Sequence, residues 1–336
     1  MIWLAWRRHR LLLLLFAGGI AALILWMLLE GHAFELAQRN SACTSAAQPG
    51  TPPCTAVLGR LSLANQAFAI NLLLLLLPCL VGVVFGAPLV AGELEHKTNR
   101  LAWTQGISRT RWFVSKCLVV GLILVGLAAL LAVVAQWWSS HTFDAQGFSL
   151  DVGHLHLGTG ETRIGPQYFA ITGIVPVAYT LFAFGLGAAL GAFVRRTSWA
   201  IVGTVVGYTA VALLMVLVVR PSLVPPSFSA NQNFNSGFSV GVPTSAWDLG
   251  EGFRFAPGTH TRSGASAGAI AQTCQDRNNM YAPYLRCLVK HDVQAGAFFQ
   301  PAKNYWALQW REATIYVAAS IVLLGVAYWA VRRWRA

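Results

Sequence analysis

Few residue types in this chain stand at spacings that do chemistry. Gly92-Glu93-Leu94-Glu95-His96-Lys97-Thr98 approaches a phosphate-binding loop. It lacks the glycine before the lysine, where His96 stands, and it puts two carboxylates where phosphates would sit. It also follows an apolar run long enough for a membrane helix rather than a strand, so nucleotide binding by this segment is rejected. Gly264-Ala265-Ser266-Ala267-Gly268 matches the nucleophile elbow, with Asp276 and His291 following in the order of a catalytic triad. The elbow needs a sizeable α/β sheet beneath it, and the surrounding stretch is too short to supply one. His154-x-His156 is read as an isolated loop pair rather than a metal site, since two histidines alone do not make one. The chain is therefore read as neither an enzyme nor a metal protein, with no cofactor of its own.

The elements that would position such residues are membrane helices. The chain has 336 residues, of which 56% are hydrophobic and 11% charged. Its mean hydropathy is +0.55. Soluble chains carry about 25% charged residues, so too little polar surface exists here to face water. A spanning helix needs roughly 20 apolar residues. Six stretches qualify, at residues 11–29, 68–91, 114–137, 168–194, 198–219 and 313–331. The first is longer than a secretory signal's apolar region and lacks a small-residue cleavage site, so it is read as a span. Pro78 and Pro176 fall inside spans and are expected to kink them. The fold class expected is an all-α polytopic membrane protein.

Basic residues orient the spans. Arg7, Arg8, Arg10, Lys97, Arg100, Arg109, Arg111, Lys116, Arg195, Arg196, Arg332, Arg333 and Arg335 lie on one side, thirteen of the 24 Lys and Arg. Only Glu93 and Glu95 oppose them there. Both termini are therefore expected in the cytoplasm, with residues 1–10 as an interfacial helix carrying Trp3 and Trp6. The net charge of +12 expresses this inward bias and leaves no role for nucleic-acid binding. Outer loops are expected at 30–66 and 138–167, an inner loop at 92–113, and a large extracellular segment at 220–311. The sixth span and a basic tail fill 312–336. No Asn-x-Ser/Thr sequon occurs, which favours a bacterial source.

Cys43, Cys54, Cys274 and Cys287 all fall in outer segments, where oxidation favours disulfides. Three connectivities are open; the local pairs Cys43–Cys54 and Cys274–Cys287 are favoured. The spans hold no acid or base in their central portions, and Arg311 and Glu312 are placed at the outer rim of the sixth. A proton-driven carrier usually needs such groups at depth, so energy for uphill transport must come from another chain. Small-x-x-x-small spacings at Gly82/Gly86, Gly187/Gly191 and Gly203/Gly207 allow close helix packing.

After the second span the chain reads Gly92-Glu93-Leu94-Glu95-His96-Lys97-Thr98, then Gln105-Gly106-Ile107-Ser108-Arg109, and reaches Lys116. This resembles the permease subunits of type-2 ABC exporters. Trp3-Leu4-x-Trp6-Arg7 at the start and Tyr305-Trp306-x-x-Gln309-Trp310-x-Glu312 near the end look like a bacterial, actinobacterial-type branch. The resemblance implies a homodimer in the plasma membrane on two copies of a separate ATPase, which would hold ATP and Mg. It implies that the inner loop docks on that ATPase through Glu93, Glu95, Lys97, Thr98, Arg100 and Arg109, joined by Arg7. It implies a pathway lined by the second span (Asn71, Pro78, Phe85) and the fifth (Thr204, Tyr208). Ordinary helix packing explains those two faces equally well. The expected cargo is hydrophobic or amphipathic: a drug, antibiotic, peptide or lipid. The alternative is a non-transporting ABC-type subunit that senses an extracellular ligand or drives a cell-envelope partner.

Overall fold

In a computed structural model, six helices among the described residues are long and apolar enough to cross a membrane: Arg10–Ala33, Gln66–Gly92, Thr110–His141, Val175–Val194, Thr197–Leu223 and Ala302–Arg333. The structure describes residues 2–39, 55–95, 108–142, 149–152, 155–158, 162–230, 242–243, 245–256, 266–277 and 281–333. Within lipid every backbone group must be satisfied inside the protein, so long apolar runs close on themselves as helices. The chain forms two compact units.

The first unit comprises residues 1–161, 166–220 and 306–336. Helix α1 runs from Ile2 to Arg39 without a break. An interfacial helix set apart at residues 1–10 would need a break near Arg10; the N-terminal segment instead continues the first span. Helix α2, Thr55–Val81, passes through a π-helical turn at Gly82–Gly86 into α3, Ala87–Glu95. Helix α4 is Arg109–Thr142. A short hairpin follows, with β1 (Ser149–Val152) pairing antiparallel to β2 (Leu155–Gly158).

The expected fourth span, 168–194, is two helices. Helix α5, Pro166–Ile171, ends before Thr172, and α6 starts at Val175. Gly173 between them has φ 71°, a left-handed conformation that favours glycine. Pro176 sits in the first turn of α6, where its missing N–H leaves no helical bond unmade. It starts a helix rather than kinking one. Helix α7, Thr197–Leu214, continues through a π-helical turn, Met215–Val219, into α8, Arg220–Leu223.

Two apolar layers hold this unit together. One gathers Leu13, Phe85, Leu89, Trp112, Phe184 and Val331. The other gathers Met27, Ile70, Leu74, Trp138, Tyr168 and Ile171. The second span meets α6 backbone to backbone. A Cβ on Gly86 would lie 2.6 Å from Phe184 O, and one on Gly191 2.6 Å from Ala87 O. The glycine spacings at 82/86 and 187/191 thus serve packing within one copy.

The second unit, residues 162–165 and 221–305, is α+β. Strands β3 (Ser227–Ala230), β5 (Val293–Gln300) and β4 (Trp247–Phe255) form an antiparallel sheet in the order β3-β5-β4. Helices α9 (Ala267–Arg277) and α10 (Tyr281–Lys290) share its core through Ala271, Leu288 and Val293. The all-α expectation therefore fails here: β-strands flank a helical pair that periodicity alone did not separate from loop. Cys274 and Cys287 form the expected disulfide, while Cys43 and Cys54 lie outside the described residues. Helix α11, Tyr305–Arg333, returns the chain to the first unit.

Candidate functional site

At one end of the bundle, α3 meets the turn between α6 and α7. Arg195 closes α6 in the left-handed conformation, its N–H donating to Gly191 O at 3.3 Å. Arg196 precedes α7 without a side-chain cap of its own. The cap comes from Glu95: Thr197 N–H donates to its Oε2 at 3.0 Å. A carboxylate at a helix N-terminus satisfies an orphan donor and complements the helix dipole. Ala87, Ala91 and Ala200 pack together beside it. The helix leading into the 92–113 segment is therefore bonded to the start of the fifth span. At the loop's other end Ser108 Oγ accepts from Arg111 N–H at 3.3 Å and opens α4. Lys116 is buried, its Nζ 4.5 Å from the centroid of Trp112.

Of the other expected docking residues, Lys97, Thr98 and Arg100 lie outside the described residues, as do the side chains of Arg7, Glu93 and Arg109. The rejected phosphate loop is helical over 92–95, which has no phosphate-cradling geometry. Ser266, of the rejected elbow, caps α9 through Ala269 N–H at 3.2 Å.

The opposite layer carries a polar cluster that the sequence did not reveal. Gln309 of α11, fully buried, spans the break between α5 and α6. Its Oε1 accepts from Ile174 N–H at 3.1 Å and Val175 N–H at 3.0 Å. Its Nε2 donates to Phe169 O and Thr172 O, both at 3.1 Å. One turn on, Glu312 pairs with Arg220, at 2.8 Å from Nε and 2.9 Å from Nη2. Both side chains are wholly buried. Tyr179 of α6 donates its hydroxyl proton to Glu312 and accepts from Arg220 Nη2 at 2.8 Å. Arg220 Nη1 reaches Pro166 O at 3.2 Å, and the guanidinium lies 4.5 Å over Phe169. Tyr179 and Phe182 pack edge-on against Tyr316.

This revises the expected setting of both charges. Arg220 belongs to a helix rather than an outer loop, and Glu312, expected at the outer rim of the sixth span, has its side chain wholly buried in the protein. The charges are tolerated because they neutralise each other and share four hydrogen bonds from the guanidinium and one from Tyr179, as burial demands. Among the described residues no group of three His, Cys, Asp or Glu is placed to hold a metal.

Residues 17–220, more than half of the chain, match the family of ABC-2 membrane transporter related domains. The chain belongs to that family. It is an ABC-2-type permease, the membrane subunit of an ABC transporter. No curated protein and no solved structure matches it. The matched stretch ends at Arg220, where the chain enters the second unit.

Of the expected pathway residues, Asn71, Pro78, Phe85, Thr204 and Tyr208 are all buried within one copy of the permease. A Cβ on Gly82 would lie 3.0 Å from Thr204 Cγ2, so the second and fifth spans are in contact there. Thr204 Oγ1 donates to Ala200 O at 2.7 Å. Asn71 is fully buried, and its amide makes no hydrogen bond among the described residues.

Proposed function

We propose that this permease exports a hydrophobic or amphipathic cargo, driven by a separate ATPase. In this reading both termini are cytoplasmic, the second unit is extracellular, and two copies stand on two copies of the ATPase. ATP and Mg bind in the ATPase, whose closure pushes on the 92–113 loop. The observation that carries the reading, beside the family, is the bond from Glu95 to the N-terminus of α7. It supplies a short path from the expected docking loop to a spanning helix. The buried side chains at Asn71, Pro78, Phe85, Thr204 and Tyr208 fit a pathway closed in this conformation. The absence of charge among these five side chains supports the cargo class.

Replacing Glu93 and Arg109 together with alanine is expected to weaken co-purification with the ATPase at least tenfold while membrane insertion stays intact. Undiminished ATPase binding refutes the docking role. A second reading draws on the α+β unit, which lies outside the family match: a non-transporting subunit that senses an outer ligand or drives a cell-envelope partner. Reconstituted vesicles separate the two, because only an exporter moves a hydrophobic dye on adding ATP.

A further inference from the structure

Helix α5 is held in an unusual way. All six of its residues are buried, and side chains from distant parts of the chain grip it at both ends. Arg220 binds Pro166 O at its start. Gln309 binds Phe169 O and Thr172 O at its finish, together with the first amides of α6. That one amide group spends both donors and both lone pairs on the break, its full hydrogen-bonding capacity. Gln309 and Glu312 are three residues apart on α11 and so share a face. A small displacement of α11 against α5 would break these bonds together, which is how a two-state contact behaves. The pivot is present as well: Gly173 is left-handed between two helices that share no continuous ladder.

Helix α5 also covers an apolar layer. Tyr168 and Ile171 fill the layer made by Met27 of α1, Ala67, Ile70 and Leu74 of α2, and Trp138 of α4. Beside Ile70 stands Asn71, whose buried amide has no hydrogen-bond partner among the described residues. A native protein rarely leaves such a group orphaned in every state it visits.

We infer that α5 is a hinged plug, pivoting at 172–174 and latched shut by Gln309 and the Arg220–Glu312 pair. Swinging out, it opens the layer between the first three spans and gives Asn71 a partner. Its use as the exit gate rests on the exporter reading; the hinge does not.

Hydrogen–deuterium exchange on the full-length permease in nanodiscs tests the hinge. In the unaltered chain, amides of 166–175 are expected to exchange as one group, faster than the interiors of α4 and α7. Gln309→Leu is expected to speed that group at least tenfold while α4 and α7 stay within twofold. Exchange that is uniform across the spans in the unaltered chain, or acceleration spread evenly over them in the variant, overturns the plug. The gate is tested in cells with Ile171→Cys, a buried position, against a membrane-impermeant maleimide and with the parent chain as control. Labelling is expected to rise at least threefold when ATP is present over ATP-depleted cells. Labelling blind to ATP, with the local exchange pattern and ATP-driven dye export both intact, removes the gate but leaves the hinge and the exporter reading; loss of dye export in the unaltered permease removes the exporter reading instead.

Discussion

The Arg220–Glu312 pair makes a sharp quantitative prediction, because both side chains have no exposed surface. Removing one partner of a buried pair strands the other charge and costs about 3–5 kcal/mol. Glu312→Leu leaves the guanidinium of Arg220 with Tyr179 Oη and Pro166 O as its remaining polar contacts in the cluster. Arg220→Met leaves the Glu312 carboxylate with the Tyr179 proton. The double variant strands no charge, and an apolar replacement of similar volume is often neutral or better. It still orphans the Tyr179 hydroxyl and Pro166 O, a penalty of about 1–3 kcal/mol for a buried group. The expected order of stability is therefore wild type, then the double variant, then the two singles. Thermal unfolding of the detergent-purified permease, followed by monodispersity on a sizing column, reads that order. The double variant is expected above both singles, with a coupling of about 3 kcal/mol or more. Raising salt from low to molar is expected to leave the gap unchanged, since screening acts on exposed charges. Losses that simply add in the double variant would show that the two charges do not need each other, and the buried network would be refuted.

Three further outcomes follow from the geometry. Glu95→Ala removes the cap of α7 and is expected to cost about 0.5–2 kcal/mol, read as faster amide exchange at Thr197; unchanged exchange there denies the cap. Gly187→Ala puts a methyl 2.7 Å from Ala87 N and is expected to destabilise the permease by about 1–3 kcal/mol. Gly126→Ala meets nothing within 4 Å and serves as the neutral control; equal melting temperatures for both variants refute the backbone contact. Cys274→Ser is expected to cost about 3 kcal/mol, confined to the second unit. Limited proteolysis should then cut residues 221–305 faster while the spans stay protected, and cutting at the wild-type rate would deny the disulfide its role.

The spans were legible because hydropathy over some twenty residues is a local property that the bilayer reads in the same way. The pair Cys274–Cys287 was legible because its partners are close in sequence, and the glycine spacings because a missing Cβ means close approach in any helix. The break at 172–174 was not: Tyr168 to Val194 is apolar almost throughout, and Pro176 reads equally as a kink or a start. What decides between them is Gln309, more than 130 residues away. Asn71, Pro78, Phe85, Thr204 and Tyr208 were found as helix faces, but periodicity reports that a face is apolar, not whether it meets a neighbour or a passage.

The ends of the hydropathy runs misled for a physical reason. A charge next to an apolar run normally marks the water boundary, because an unpaired charge in hydrocarbon is costly. That inference holds for a single run. It fails when two runs end in opposite charges at the same depth, because Arg220 and Glu312 neutralise each other and Tyr179 completes the set. The same logic explains the helix break. Free carbonyls and amides at depth are forbidden unless something supplies their bonds, and Gln309 supplies four. Gln309-Trp310-x-Glu312 is thus a matched pair of answers on one helix face, an amide for an interrupted backbone and a carboxylate for a buried cation. A buried Gln-x-x-Glu at the mouth of a spanning helix is in this sense a sequence signal. It calls for a broken helix and a basic residue elsewhere in the chain, and Arg220, closing the fifth apolar run, is where this chain provides the base.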